Sequence, residues 1–328
     1  MSGAVARYAR SRSSARVAIV VALLATSVGV RAQAQTGESS PPGQGTAATP
    51  SAQKPPPAPL FPRHRRGLYR NGAGLWVIDA TPQAPPLDID DPGVPDKGAY
   101  EINMTTRTEF APGTRSFDLF EVDLNYGLVP SIFGHKIPAQ LACVVPLSAA
   151  QEHGQAFTAA AGEMEVGMKL SVYDDERRGL EIAVYPQLAF SVGSHAVETG
   201  VAPPGQTLIV PVLVSKEFKY MTMVFNAAID APIHDPDRRT SGMLAIGGGV
   251  PITRRFAVMG SLRGEAPFDL SDDRALGLTV GLTRALGENV VLYMHVGRTL
   301  VGDESTRHTS VGFGVKLLSG TEAERPRR

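Results

Sequence analysis

Ten charged residues are the candidates for any selectivity this chain exerts: Glu101, Arg107, Glu109, Glu121, Asp123, Glu165, Lys169, Glu181, Arg263 and Glu265. Their spacing sends them to one side of extended segments, because successive side chains of a strand point to opposite faces. From Tyr100 to Phe110 the alternation is strict. Tyr100, Ile102, Met104, Thr106, Thr108 and Phe110 share one face, and Glu101, Asn103, Thr105, Arg107 and Glu109 share the other. Around a water-filled lumen, such groups set ion preference, and their acidic excess favours cations or neutral polar solutes. Paired with one another, they would instead fill the interior of a structural barrel. The sequence is compatible with both.

Other chemistries find less support. His234 with Asp230, Asp235 and Asp237 makes an acidic, imidazole-bearing loop, but the spacing matches no known metal site and a solvated loop accounts for it. Asp88, Asp90 and Asp91 lack the spacing of a calcium loop and are read as shaping a turn with Pro92 and Gly93. His153 and His195 fall in expected loops, and His295 in a strand. No G-x-S-x-G elbow, P-loop or dinucleotide fingerprint occurs, so neither catalysis, cofactor nor metal is expected. A barrel enzyme acting on lipid is the alternative from another class; it needs a nucleophile, base and orienter at one rim. Cys143 is the single cysteine, which excludes an intramolecular disulfide, and its place on an apolar face makes it a small hydrophobe.

The elements that must position these charges are strands. The alternation recurs from Ala99 to Leu318 in about twelve segments near the ~9–11 residues a tilted membrane strand needs. They are Ala99–Phe110, Ser116–Tyr126, Lys136–Leu147, Glu163–Tyr173, Leu180–Ser191 and Thr207–Phe218, then Tyr220–Ile229, Ser241–Val250, Phe256–Glu265, Ala275–Thr283, Asn289–Arg298 and Thr309–Leu318. Tight connections at Asp174–Gly179, Lys219, Pro251–Arg255 and Arg284–Glu288 alternate with long ones at Ser148–Gly162, Val192–Gln206, Asp230–Thr240, Ala266–Arg274 and Leu300–His308. Sorting by parity is the mark of an outer-membrane barrel, with short turns at the periplasm. A soluble periplasmic β-sandwich binding protein, the remaining alternative, has no reason to sort its loops. Two connections break the pattern: Ala111–Arg115 is short, and Leu128–Gly134 is long. Pro138, Pro186 and Pro211 inside expected strands each remove a ladder donor, which predicts bulges or shifted boundaries.

The expected fold is therefore all-β: a closed antiparallel up-and-down transmembrane barrel, its apolar face in lipid and all backbone groups paired. Tyr100, Phe110, Phe117, Tyr126, Phe190, Phe218, Tyr220 and Phe256 lie near strand ends, as interfacial aromatics do. Before the barrel, Met1–Ala34 has a basic start, an apolar run Val17–Val30 and a small-x-small site at Ala32–Ala34: a cleavable export signal. The run is shorter than the ~20 residues of a spanning helix. Residues 35–66 are rich in Pro, Gly and Ser and read as a disordered periplasmic leader ending in the basic Arg63–Arg66. Residues 67–96 lead into the barrel at 97–318, and 319–328 form a polar tail. Leu68–Ile78, with the single tryptophan Trp76, is apolar enough to dock in a barrel mouth.

Hydrophobic residues make up 43% of the chain and the formal net charge is zero. Loss of the signal removes five arginines and no acid, leaving the mature chain at about −5. No clustered basic surface points to nucleic acid. The expected partners are the outer-membrane bilayer, a small-molecule solute and the outer-membrane assembly machinery.

The motifs D-D-P-G at Asp90–Gly93 and K-G-A-Y-E-I-N at Lys97–Asn103 resemble the outer-membrane β-barrel family named for the MetA pathway of phenol degradation. Further matches are E-V-D-L-N-Y-G-L at Glu121–Leu128, E-M-E-V-G-M-K-L at Glu163–Leu170 and V-S-K-E-F at Val214–Phe218. The resemblance spans nearly all of Lys97–Leu318. It implies a passive outer-membrane channel or transporter for small molecules, hydrophobic or aromatic ones among them, and it supplies no catalytic residues. In one respect the chain departs from such barrels, whose last strand commonly ends on an aromatic: here Phe313 is internal and the tail beyond Leu318 is polar.

Overall fold

Alternation along the chain becomes a ring of hydrogen-bonded strands. The computed structural model describes residues 67–70, 75–152, 156–235, 238–269, 274–302 and 307–320. The expected signal and leader, Asp237, His153 and residues 321–328 of the tail lie outside them. In chain order the first strands are β1 (Leu68–Arg70), β2 (Trp76–Ile78), β3 (Tyr100–Ala111), β4 (Thr114–Leu128), β5 (Ser131–Ile132) and β6 (His135–Lys136). Next come β7 (Ala139–Glu152), β8 (Thr158–Ala161), β9 (Glu163–Asp175), β10 (Leu180–Val184), β11 (Gln187–Ser191) and the short helix α1 (Ser194–Glu198). The rest are β12 (Gln206–Glu217), β13 (Thr222–Ile233), β14 (Ser241–Thr253), β15 (Phe256–Pro267), β16 (Ala275–Ala285), β17 (Val290–Val301) and β18 (Thr309–Leu318).

All pairings in the large sheet are antiparallel. β3 pairs with β4, β4 with β7, β7 with β9, and β9 with both β10 and β11, which pair with β12. Successive hairpins carry the sheet to β18, which returns to β3 with Thr309 opposite Phe110 and Leu318 opposite Glu101. With β10 and β11 as one interrupted stave and β8 as a flap on β7, twelve staves close the barrel.

The prolines explain the departures from the expected boundaries. β7 begins only after Pro138 and runs on to Glu152, so part of the expected Ser148–Gly162 loop is ladder, paired to β4 and β8. Pro186 splits the expected Leu180–Ser191 strand. Pro211 stays inside β12, where its carbonyl accepts the Tyr185 amide at 3.0 Å. Both prolines fall between the pairs Val184–Val212 and Gln187–Ile209, so the ladder is interrupted once, at one level. A turn closed by the Phe218 amide on the Met221 carbonyl (2.8 Å) moves the next strand's start to Thr222.

The barrel is apolar outside and polar inside. Leu141, Leu244 and Phe313 are 54%, 60% and 64% exposed, whereas Asn103, Lys169 and Lys316 are 0%, 3% and 5% exposed. A soluble sandwich does the reverse, so that alternative is overturned. Exposed Tyr100 pairs across from Tyr126, and Phe218 and Tyr220 are exposed at the same end of the barrel, the end carrying most short turns, which by the barrel rule is periplasmic. At the other end, Phe117 and Phe157 pack with ring centroids 5.4 Å apart.

The lumen is occupied by the chain's own residues 79–99. The β1–β2 hairpin stands in the periplasmic mouth, its Ile78 amide donating to the Arg254 carbonyl (2.9 Å). There Leu68, Ile78 and Ala80 form an apolar cluster with Ala257, Ala285, Val291 and Leu318, and Trp76 packs against it. The chain then climbs one wall, where Leu87 and Ile89 pack on Val224, Ala245 and Met259. It reaches mid-barrel at Asp88 and returns to the periplasmic end, where the Gly98 amide donates to the Gly127 carbonyl (2.9 Å). Glycine makes this passage possible at two points. A Cβ on Gly249 would run into the Ala80 carbonyl, and one on Gly127 into the Pro95 and Asp96 carbonyls. The Gly127→Val variant should therefore lose about 1–3 kcal/mol through overpacking. Urea unfolding of the refolded barrel reads this; unchanged stability and unchanged protease resistance of residues 79–99 would contradict the packing.

Candidate functional site: an acidic lane beside an internal strap

The lumen has two unlike walls. β13–β16 present Val224, Ala245, Met259 and inward glycines, an apolar patch among buried polar residues such as Asn226 and Thr279, and Leu87 and Ile89 of the strap (residues 79–99) lie on it. β3, β4, β7, β9 and β10 present carboxylates, amides and two cations, because every second residue of these strands is polar. A cavity of about 370 Å³ runs beside the strap, lined by this second wall and by residues of the other strands such as Asn226, Asp230 and Arg263.

Buried cations tie strap to wall. Lys316 on β18 lies 2.7 Å from Glu101 and donates to the Gln83 side chain at 2.6 Å. Glu101 continues into a relay: Asn103 donates to it (3.1 Å) and to Asp123 (2.8 Å), Asn125 donates to Asp123 (2.8 Å), and Gln140 donates to Asn125. Lys169 on β9 donates to the Asp91 carbonyl at 2.8 Å, lies 3.8 Å from the Asp91 carboxylate and sits 5.0 Å over the Tyr185 ring. Asp88, at the strap's apex, accepts from Thr279 (2.9 Å) and lies 3.8 Å from Arg107. Arg107 is held chiefly by Asp118, at 2.9 Å. Within the strap, enclosure raises the Asp90 carboxyl above the ordinary carboxylate range; Lys169 opposes the rise and neighbouring Asp91 adds to it.

What these ties leave over is acidic. Glu121, Glu165 and Glu181 face the cavity without a hydrogen bond or ion pair among the described residues. They sit on β4, β9 and β10, so one unpaired acidic group comes from each of three staves of this wall. His295 also lines the cavity, with its Nδ1 buried and unpartnered.

Of the ten charges singled out by spacing, the cavity gathers Glu101, Arg107, Glu121, Asp123, Glu165, Lys169, Glu181 and Arg263. Glu109 and Glu265 stand outside it: Glu109 lies 3.6 Å from Arg107, and Glu265 accepts from Ser241 (3.1 Å) beside Arg263 (3.5 Å). Spacing missed Asp118, because a bulge between Asp118 and Phe120 shifts the parity of β4 and turns an out-of-phase aspartate inward. Lys316 was within reach, since it alternates with Val315 and Leu317 in the last strand. The strap's own Asp88 and Asp91 could not be placed by alternation, having no strand period.

A closed barrel with an apolar exterior and a charged interior is the fold of outer-membrane channels and porins, and such an exterior places the chain in the bilayer. No protein-family model matches the sequence, and no curated protein matches it. Among solved structures, an outer membrane channel from Pseudomonas putida F1 superposes with TM-score 0.58 and 11% identity, covering 71% of this chain and 100% of that one. The NanC porin gives TM-score 0.45 at 11% identity over 65% of this chain and 98% of that one. The KdgM porin in complex with disordered oligogalacturonate gives 0.41 at 11% identity, covering 66% and 98%. At such identity, the likeness to the Pseudomonas putida channel shows the barrel fold alone.

The strap's anchoring can be tested at Lys316. Lys316→Met removes the cation between Glu101 and Gln83, and breaking a buried pair from one side costs about 3–5 kcal/mol. The measured loss should fall in that range in urea. A loss below about 1 kcal/mol would show that the pair behaves as an exposed one.

Proposed function

We propose that this chain is a passive outer-membrane channel whose solutes pass along the acidic lane between the internal strap and the β4–β7–β9–β10 wall. The observation that carries the reading is the set Glu121, Glu165 and Glu181, acidic groups that face open volume and have no hydrogen bond or ion pair among the described residues. Rings of carboxylates attract cations and admit neutral polar molecules. The strap narrows the lumen without filling it, which favours a small-solute channel over a filled structural barrel.

The family resemblance belongs to the same reading. D-D-P-G falls on the strap, where the Asp91 carboxylate accepts the Gly93 amide at 3.0 Å, and K-G-A-Y-E-I-N carries the chain from strap to wall. The motifs are thus those of a strapped barrel, and on this ground we assign the chain to transport as in the MetA-pathway family, with small aromatic molecules as solutes to assay. Export by the Met1–Ala34 signal and recognition of the last strand through Phe313 complete the proposal.

Refolded mature protein in planar bilayers provides the test. We expect steady conductance with a cation preference in a salt gradient, and Glu121→Gln, Glu165→Gln and Glu181→Gln together should drive the reversal potential toward zero. A folded, heat-modifiable barrel that stays silent would overturn the open lane. An unchanged reversal potential in the triple variant would overturn the assignment of selectivity to these residues.

A further inference from the structure

Outside the lumen, the periplasmic rim carries charge where the wall pattern calls for none. On β16, Leu278, Val280 and Leu282 alternate outward while Thr279, Gly281 and Thr283 point in, so Arg284 continues the lipid-facing row. Its cross-strand neighbours are Phe256 on β15 and Leu292 on β17. Arg255, in the adjacent β14–β15 turn, is exposed beside it. The two arginines, with Thr253, Phe256, Ala285 and Leu286, line one notch at the barrel's edge. Neither arginine side chain has a hydrogen bond or ion pair among the described residues. Leu286 and Ile252, exposed at 50% and 58%, continue the apolar belt to the notch.

A guanidinium on the lipid face is costly at the bilayer midplane and tolerable only at the level of the headgroups, where it meets an anion. A planar fork of donors matches phosphate oxygens better than any other partner available at that depth. We infer that Arg255 and Arg284 form a binding site for the phosphate of an anionic phospholipid of the periplasmic leaflet, its acyl chains lying along Leu286, Ile252 and the β15–β16 exterior. Three observations agree on this occupant: continuity with the lipid-facing belt, positive charge without a protein partner among the described residues, and a notch at the barrel's edge that both arginines line. A free phosphate would satisfy the charge but leave the apolar flank in water.

Native mass spectrometry of the refolded barrel released from phosphatidylglycerol nanodiscs tests this independently of conductance. The wild type should retain a phosphatidylglycerol molecule. Because each arginine near a charged leaflet strengthens attraction by about fivefold, Arg284→Gln should weaken retention about fivefold and the Arg255→Gln/Arg284→Gln pair about thirtyfold. Arg284→Lys keeps the charge and should retain most binding, which separates lost attraction from misfolding. Arg298→Gln, at the opposite end of the exterior, should change nothing. Equal retention in wild type and double variant, or displacement of the lipid by millimolar inorganic phosphate, would overturn the site.

Discussion

A hydrocarbon layer offers no water to a peptide group, and each unpaired N–H or C=O there costs several kcal/mol. This constraint governs the molecule. It requires the last strand to find the first, and β18 does so over its whole length against β3. It also explains why the ladder's weak point is confined. Pro186 and Pro211 share one level, so the two prolines break the ladder at a single place, and there the Tyr185 amide still finds the Pro211 carbonyl. Closure in turn inverts the usual economy of a fold: the large apolar side chains go out to lipid, and the polar ones are enclosed.

Enclosure creates the second problem, a lumen lined by charges that neither lipid nor bulk water serves. The chain answers with its own residues 79–99. Leu87 and Ile89 give the strap an apolar side that matches Val224, Ala245 and Met259, so part of the lumen behaves as an ordinary core. Its backbone carbonyls and carboxylates do the opposite work, accepting from Lys169 and, through Gln83, from Lys316. Each buried lysine thereby has oxygen partners, Lys316 from strap and wall together and Lys169 from Asp91 of the strap above the Tyr185 ring, which is the condition for keeping a cation out of water. Fixing a proline-rich segment costs less conformational entropy than fixing a flexible one, and Pro82, Pro92 and Pro95 are all fully buried.

Much of this was legible in the residues. Strand alternation located ten of the twelve staves to within a few residues, and it put eight of ten selected charges on one cavity. It succeeded because a lipid-facing surface enforces a period of two more strictly than a soluble core does. It failed where period was broken by backbone geometry. The bulge at Leu119 hid Asp118, and Pro138 and the Phe218–Met221 turn moved the starts of β7 and β13. The strap's path was not legible at all. Its contacts depend on glycines 127 and 249 lying opposite carbonyls more than twenty residues away in sequence, a relation that only the closed ring creates.

The two walls also explain why the lane has a sign. Had the strap lain centrally, its carboxylates Asp88, Asp90 and Asp91 would have repelled every acidic stave equally. Lying on the apolar wall, it directs Asp88 toward Thr279 and Arg107, and Asp91 toward Lys169. The cations of the lumen are each paired: Lys316 with Glu101, Arg107 with Asp118 and Arg263 with Glu265 within the wall, and Lys169 with Asp91 of the strap. Carboxylates outnumber them, and the surplus is left on the wall that the strap does not cover. Glu121, Glu165 and Glu181 are therefore left without an ion pair among the described residues for a structural reason: the cations are already paired within the wall or to the strap, and the side of the lumen that the strap leaves open is acidic.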